Sequence, residues 1–142
     1  MAFLLDTDVL TILEARSQPA YDRLTSRLRQ QAPADICTSI VNFQERVQGW
    51  QGFLHKARTA HQILLAYEGL QEILDDICAL RILPFDQTAQ TRFEELQGQR
   101  LHLGTLDLRI ACVALVNGAV LISRNLRDFR RVPGLVVEDW TV

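Results

Sequence analysis

The chain predicts a three-layer α/β/α domain with a central parallel sheet and a helical hairpin in its middle, because short apolar runs alternate with amphipathic helical segments from end to end. Strands separated by helices pair in parallel through right-handed crossovers. A length of 142 residues, with 48% hydrophobic and 23% charged residues, suits one domain over 1–142 that buries a real core. The last unit reads most clearly. Thr105 should cap a helix through Val116, Gly118 should supply a left-handed stop, and Ala119-Val120-Leu121-Ile122 should be a buried strand.

From the N-terminus, Phe3-Leu4-Leu5 reads as a first buried strand, with Val9 to Leu13 in a turn or first helical turn. A helix should cover Ala20 to Gln30, with Tyr21, Leu24 and Leu28 on one face and Asp22, Arg23, Arg27 and Arg29 on the other. Beyond Pro33, Asp35-Ile36-Cys37-Thr38 reads as a second strand. Thr38 or Ser39 then caps a helix carrying Val41, Glu45 and Val47, which Gly49 and Gly52 weaken near its end. From Phe53 to about Leu80 the apolar positions keep a helical period, and a break near Glu68-Gly69 would fold them into a hairpin. Arg81-Ile82-Leu83-Pro84-Phe85 is a third strand, and Asp86 caps a helix that runs to Leu96 or Gln97 and ends at Gly98. Val132 to Val137, interrupted by Pro133-Gly134, gives a final edge strand.

Composition excludes several classes. No basic segment followed by a signal-peptide apolar stretch opens the chain, and no uncharged apolar run approaches the ~20 residues that span a bilayer, so a cytoplasmic protein without membrane contact is expected. Cys37, Cys78 and Cys112 are odd in number, widely spaced and set among apolar neighbours, which suits buried reduced thiols rather than a disulfide frame or a zinc motif. His55, His61 and His102 lack metal-ligand spacing, and neither a Ser-His-Asp arrangement nor a phosphate-cradling glycine loop is present. The net charge of -2 would not attract nucleic acid as a whole, but Arg100, Arg109, Arg124, Arg127, Arg130 and Arg131 make the last third locally basic.

The chemistry-bearing residues are acidic. Asp6 ends the first strand, Asp107 falls in the first turn of its helix, Asn125 and Asp128 follow the fourth strand, and Glu45 must face inward to join them. In an open parallel sheet, ligands sit beyond the carboxyl ends of the strands, where strand order reverses. Carboxylates gathered there repel one another, and a hard divalent ion, Mg²⁺ or Mn²⁺, relieves the repulsion through oxygen ligands while activating a water for attack at phosphorus. Each residue also has a structural explanation. Asp107 would meet the helix macrodipole favourably without a metal, Asp6 could start a turn, Glu45 could be solvated, and Asp128 could pair with Arg124 or Arg131. The arginines that follow the fourth strand could neutralise a phosphate backbone beside such a pocket.

These residues resemble the PIN-domain ribonucleases and, within them, the VapC-like toxins of bacterial toxin–antitoxin pairs, over essentially the whole chain. Leu4-Leu5-Asp6-Thr7-Asp8-Val9-Leu10 is similar to the family's first-strand motif, and Thr38-Ser39 leading to Glu45 and Gly49 to its second acidic motif. Gly104-Thr105-Leu106-Asp107-Leu108-Arg109-Ile110-Ala111 resembles the third-acid helix. The stretch from Ser123-Arg124-Asn125-Leu126-Arg127-Asp128 to Glu138-Asp139-Trp140 resembles the end of many VapC-like chains.

The resemblance implies a PIN-like sheet of about five strands and a Mg²⁺- or Mn²⁺-dependent endoribonuclease. It also implies a small antitoxin whose C-terminal segment occupies the groove, and a homodimer. Asp6, Glu45 and Asp107 would bind metal, with Asn125 or Asp128 as the fourth catalytic position. Ser39 and Thr7 would support the pocket, and Arg109, Arg124 and Arg127 would contact RNA. Many relatives carry aspartate where Asn125 stands. The hairpin from Phe53 to Leu80 is the segment assigned to partner contact. Two alternatives differ in class. One is a PIN-like module that binds RNA or protein without catalysis, for which Asn125 is the hint. The other is a phosphohydrolase of the haloacid dehalogenase type, suggested by Asp6-Thr7-Asp8 but lacking the threonine expected at Leu10 and a downstream lysine motif.

Overall fold

Phe3-Leu4-Leu5 lies at the centre of a five-stranded, all-parallel sheet in the computed structural model, which describes residues 1–142. In chain order the elements are β1 (Phe3–Leu5), α1 (Thr7–Ala15), α2 (Ala20–Arg29), a 3₁₀ turn (Pro33–Asp35), β2 (Ile36–Ser39), α3 (Ile40–Lys56) and α4 (Ala60–Ala79). They continue with β3 (Arg81–Leu83), α5 (Gln87–Gln97), α6 (Thr105–Val116), β4 (Val120–Ile122), α7 (Leu126–Phe129) and β5 (Val137–Glu138). The strand order is β3-β2-β1-β4-β5, so the direction of progress across the sheet reverses between β1 and β4. Phe3, Leu4 and Leu5 pair with Val120, Leu121 and Ile122, which brings the carboxyl ends of those two strands level.

Side chains that alternate along a strand point to opposite faces, and the two cores follow this period of two. Leu4, Cys37 and Leu121 join Phe93, Leu96, Leu108, Ile110 and Ala111 of α5 and α6 in the larger cluster. Leu5, Val120 and Ile122 pack on Val9, Leu10 and Ile12 of α1, with Leu24 of α2 and Trp140. Trp140 holds the end of the chain against this second face. Its ring lies 5.1 Å from Phe3, the Arg27 guanidinium sits 5.0 Å above it, and its Nε1–H donates to Glu138 Oε2 at 2.8 Å.

Several expectations need correction. The segment after Asp6 is a full helix, α1, rather than a turn, and Asp6 is its N-cap residue. Gly49 and Gly52 do not end α3, which runs on to Lys56. The helical hairpin is formed by α3 and α4 with its turn at Ala57 to Thr59, where Thr59 and Gln62 make a reciprocal capping box. α4 passes unbroken through Glu68-Gly69. Gly69 is there for packing, since a Cβ at this position would run into the indole of Trp50 on α3. α6 is capped at Gly104 without a side-chain bond, and Thr105 is its first residue. The last strand is only Val137–Glu138, because Pro133 and Gly134, at φ +79°, keep the preceding residues in a turn. Cys37 and Cys112 are buried as expected, but Cys78 on α4 is exposed.

Around that turn the other assignments hold. Ser39 caps α3 by accepting the Asn42 N–H at 3.1 Å, Asp86 caps α5 by accepting that of Ala89 at 3.0 Å, and Gly118 takes φ +60° after α6. An ion triad ties three helices together. Arg46 of α3, its side chain only 8% exposed, pairs with Glu14 of α1 and with Asp76 of α4, the latter at 2.6 Å. No helix is long and apolar enough to cross a membrane.

Candidate active site

The carboxyl ends of β1 and β4 lie side by side where the strand order reverses, and each strand delivers a polar residue directly into that crevice. Asp6 follows β1 with its backbone N–H bonded to Ile122 O at 2.9 Å, which continues the ladder and aims the carboxylate at the sheet's edge. Ser123 follows β4 and donates its hydroxyl to Asp6 Oδ2 at 2.8 Å. The other oxygen, Oδ1, accepts from Asn42 Nδ2 at 3.0 Å.

Asn42 is fixed in turn. Its Oδ1 accepts the Ser39 hydroxyl at 2.6 Å, and its Nδ2 also donates to Thr7 Oγ1 at 3.1 Å. Ser39 therefore supports Asp6 through Asn42 rather than directly, and Thr7 completes the same network. All members except Thr7 are fully buried or nearly so.

The remaining acids surround this buried pair. Asp8, in the first turn of α1, accepts the Arg124 backbone N–H at Oδ2 at 3.0 Å, while its Oδ1 is buried with no hydrogen-bond partner. Glu45 stands one turn beyond Val41 on α3 and Asp107 stands in the first turn of α6, both partly exposed. Asn125 caps the short helix α7. Its Oδ1 accepts the Asp128 N–H at 3.4 Å and its Nδ2 donates to Asp128 Oδ2 at 3.1 Å, so both ends of the amide are committed to Asp128. Asp128 also pairs with Arg131 at 3.2 Å.

The acids share one field. Burial pushes the Asp6 carboxyl up to about 7, the Asp8 charge adds to this and Glu45 contributes further, against the opposing hydrogen bonds from Ser123 and the Thr7 backbone. Burial likewise raises Asp8, although the Arg124 backbone N–H and guanidinium pull it down. Asp107 is raised by burial and then by Glu45, Asp128 and Asp8. Sequence reasoning proposed Asp6, Glu45, Asp107 and Asp128 as site residues, and here Glu45 acts on Asp6 while Glu45 and Asp128 act on Asp107. It passed over Asp8, Asn42 and Ser123 as site residues, although Asp8 stands two residues beyond Asp6 and Asn42 stands three before Glu45 on one helix face.

The donor set is all oxygen, and the bare, buried Asp8 Oδ1 is a site wanting a positive partner. These features fit a hard divalent ion. As they stand, no three of the side chains converge at ligand distance of one point. Glu45 and Asp107 are partly exposed, so their side chains have room to turn toward a cation.

Of the arginines, Arg124 and Arg127 are exposed at the rim beside Asp8 and Asp128. Arg109 faces elsewhere. Two residues past Asp107 on the helix, it lies about 200° around the axis and sits 5.3 Å from the Phe93 ring. A groove of about 320 Å³ leads away from Glu45 between α1 and α3, past Thr7, Thr11 and Glu14 to Trp50 and Phe53. Beyond it α4 leaves Ile63, Leu64, Tyr67 and Leu74 exposed.

The family described as "PIN domain" matches residues 3–135. The chain is 30% identical to Ribonuclease VapC1 of Haemophilus influenzae over 99% of each chain. It is also 30% identical to the tRNA(fMet)-specific endonuclease VapC of Shigella flexneri, again over 99% of each. Among solved structures, that of VapBC-1 from nontypeable Haemophilus influenzae superposes with a TM-score of 0.78 at 24% identity, covering 100% of both chains. DNA-bound VapBC from Salmonella typhimurium superposes equally, with a TM-score of 0.78 at 23% identity, covering 99% of this chain and 98% of that one.

Proposed function

The chain belongs to the PIN-domain family, among its VapC-like members, and from that premise we propose that it is a Mg²⁺- or Mn²⁺-dependent endoribonuclease, one domain over 1–142, held in check by a small antitoxin. The observation that carries the reading is the gathering of Asp6, Asp8, Glu45, Asp107 and Asp128 around the β1/β4 crevice, where burial first and then the neighbouring Asp8 and Glu45 charges lift Asp6 to about 7. Such a cluster is unfavourable by itself and becomes favourable with a divalent cation.

Asp6, Asp8, Glu45 and Asp107 would hold the ion, and Asp128 suits the remaining catalytic position better than Asn125, whose amide is spent on capping α7. The bound ion supplies a water of lowered pKa and neutralises charge at the phosphorus. The Asn42 and Ser123 hydrogen bonds hold Asp6 in one orientation at the crevice. Arg124 and Arg127 at the rim would draw the phosphate backbone toward the acids.

The groove from Glu45 to Trp50 and the exposed apolar side of α4 suit a partner segment that covers the acids, and the similar proteins include chains solved as toxin–antitoxin complexes. The test is incubation of total bacterial RNA with purified, partner-free protein in Mg²⁺, Mn²⁺ or EDTA, beside Asp6→Asn. Discrete products that need the metal and Asp6 are expected. Background cleavage only, from folded protein, would leave the module that binds without catalysis.

A further inference from the structure

On the other side of the acids from the α1/α3 groove, a second cleft of about 490 Å³ opens between the start of α3, the loop after β3, and helices α5 and α6. Its walls are Ile40, Val41, Phe43, Gln44, Phe85, Gln90 and Arg109. We infer that this cleft is a base-binding subsite that takes one unstacked nucleobase of single-stranded RNA next to the phosphodiester held at the acids. The inference rests on the ribonuclease reading and adds to it the element that selects sequence.

Three features argue for this occupant. The first is position. Val41 lies four residues, about 6 Å along the axis, before Glu45 on the same face of α3, so a strand with its phosphate at Glu45 has a neighbouring nucleoside within reach of the cleft. The second is the lining. Two phenyl rings, Phe43 and Phe85, offer faces on which a base can stack, and aliphatic Ile40 and Val41 complete an apolar container within the ~300–1,000 Å³ range of small-molecule pockets. The third is the polar complement. Gln44 presents one acceptor and two donor hydrogens, and Gln90, which gives one donor to Glu94 Oε1 at 3.1 Å, keeps an acceptor and one donor, an inventory that reads a base's Watson–Crick or Hoogsteen edge. Arg109 is the cleft's one charged residue, and its sign is right for a nucleotide's phosphate. Its guanidinium also lies 5.3 Å from the Phe93 ring, a cation–π contact. Arg109 thus has a role although it faces away from Asp107.

The probes are short, end-labelled, single-stranded oligoribonucleotides of A, of C or of U, bound to Asp6→Asn protein so that they survive. A preference of about ten-fold or more for one base is expected, matching one stacked and hydrogen-bonded residue. Adding Gln44→Ala with Gln90→Ala should flatten the preference. Phe85→Leu, which keeps apolar packing but removes the ring face, should weaken the preferred oligonucleotide most. Equal binding of all three oligonucleotides would overturn the inference, as would a preference untouched by these variants in protein whose circular dichroism is unchanged. A dimer that Gln44→Ala with Gln90→Ala dissociates, with base preference intact, would assign the cleft to a second copy and overturn it too. Cleavage by the wild-type chain separates the two readings. Metal-dependent cleavage without base preference sinks the subsite alone, whereas selective binding without any cleavage sinks the ribonuclease and leaves the subsite standing.

Discussion

In EDTA at pH 8, Asp6→Asn should make the protein more stable than the wild type while abolishing the proposed cleavage. The Asp6 carboxyl is 6% exposed and is pushed from the ordinary 3.8 up to about 7 by burial and by its acidic neighbours. At 1.36 kcal/mol per pKa unit, holding it ionised in the fold costs about 4 kcal/mol.

The native state binds this proton more tightly than the unfolded chain. Its contribution is therefore complete below pH 3.8, declines as pH rises toward 7, and is gone above that. Asp8 and Asp107, raised as well, act in the same direction. Asparagine has no charge to bury. Its amide oxygen can keep the Asn42 hydrogen bond, but the Ser123 hydroxyl must turn from donor to acceptor, a rearrangement worth about 1 kcal/mol. A net gain of about 3 kcal/mol at pH 8 remains. Urea unfolding followed by circular dichroism from pH 4.5 to 8.5 in EDTA reads this directly. Wild-type stability should fall across the range and the variant's should fall much less. Parallel curves for the two proteins would refute the reasoning, because they would mean that Asp6 is not the group taking up the proton.

Further outcomes follow from other contacts. Mg²⁺ or Mn²⁺ at pH 8 should raise the wild-type Tm and leave Asp6→Asn with Asp107→Asn nearly unmoved, a comparison for differential scanning fluorimetry; equal shifts would place the cation elsewhere. Asn125→Asp sets a second carboxylate against Asp128 in place of the amide that now donates to it, so the metal-free Tm should fall above pH 5 and the rise on adding metal should grow. Arg46→Ala leaves Glu14 and Asp76 facing each other without their cation and should lose about 3 kcal/mol in urea unfolding, with part recovered by adding Glu14→Gln and Asp76→Asn. Gly69→Ala drives a methyl into the Trp50 indole and should cost about 1–3 kcal/mol, with a shift in tryptophan emission; unchanged stability would mean α3 and α4 separate freely.

Local pattern determined a good deal of this protein. Apolar runs bounded by Asp6, Ser39 and Gly118 marked β1, β2 and β4, since a buried strand needs no partner information to be recognised by its composition and stops. The caps Ser39 and Asp86 were legible for the same reason: a side-chain oxygen three residues before an unpaired N–H is a local arrangement. Asp6 and Asp107 could be grouped because they stand where β1 ends and α6 begins, whereas Glu45, more than a turn into α3, had to face inward to join them, a placement the family resemblance supplied.

What spans the fold was decided only in three dimensions. Gly69 looks like a helix break along the chain, yet α4 runs through it because Trp50, nineteen residues earlier, fills the space a side chain would take. Asn125 reads as a ligand until Asp128 is seen to take both ends of its amide. Arg109 reads along the chain as one of a set with Arg124 and Arg127, whereas the helix carries it to Phe93. Above all, the support of Asp6 by Asn42 and Ser123 joins residues 36 and 117 positions apart. Sequence pattern reports each residue's own turn or strand, whereas burial and charge coupling depend on which strands lie side by side, and that was settled when β4 inserted next to β1.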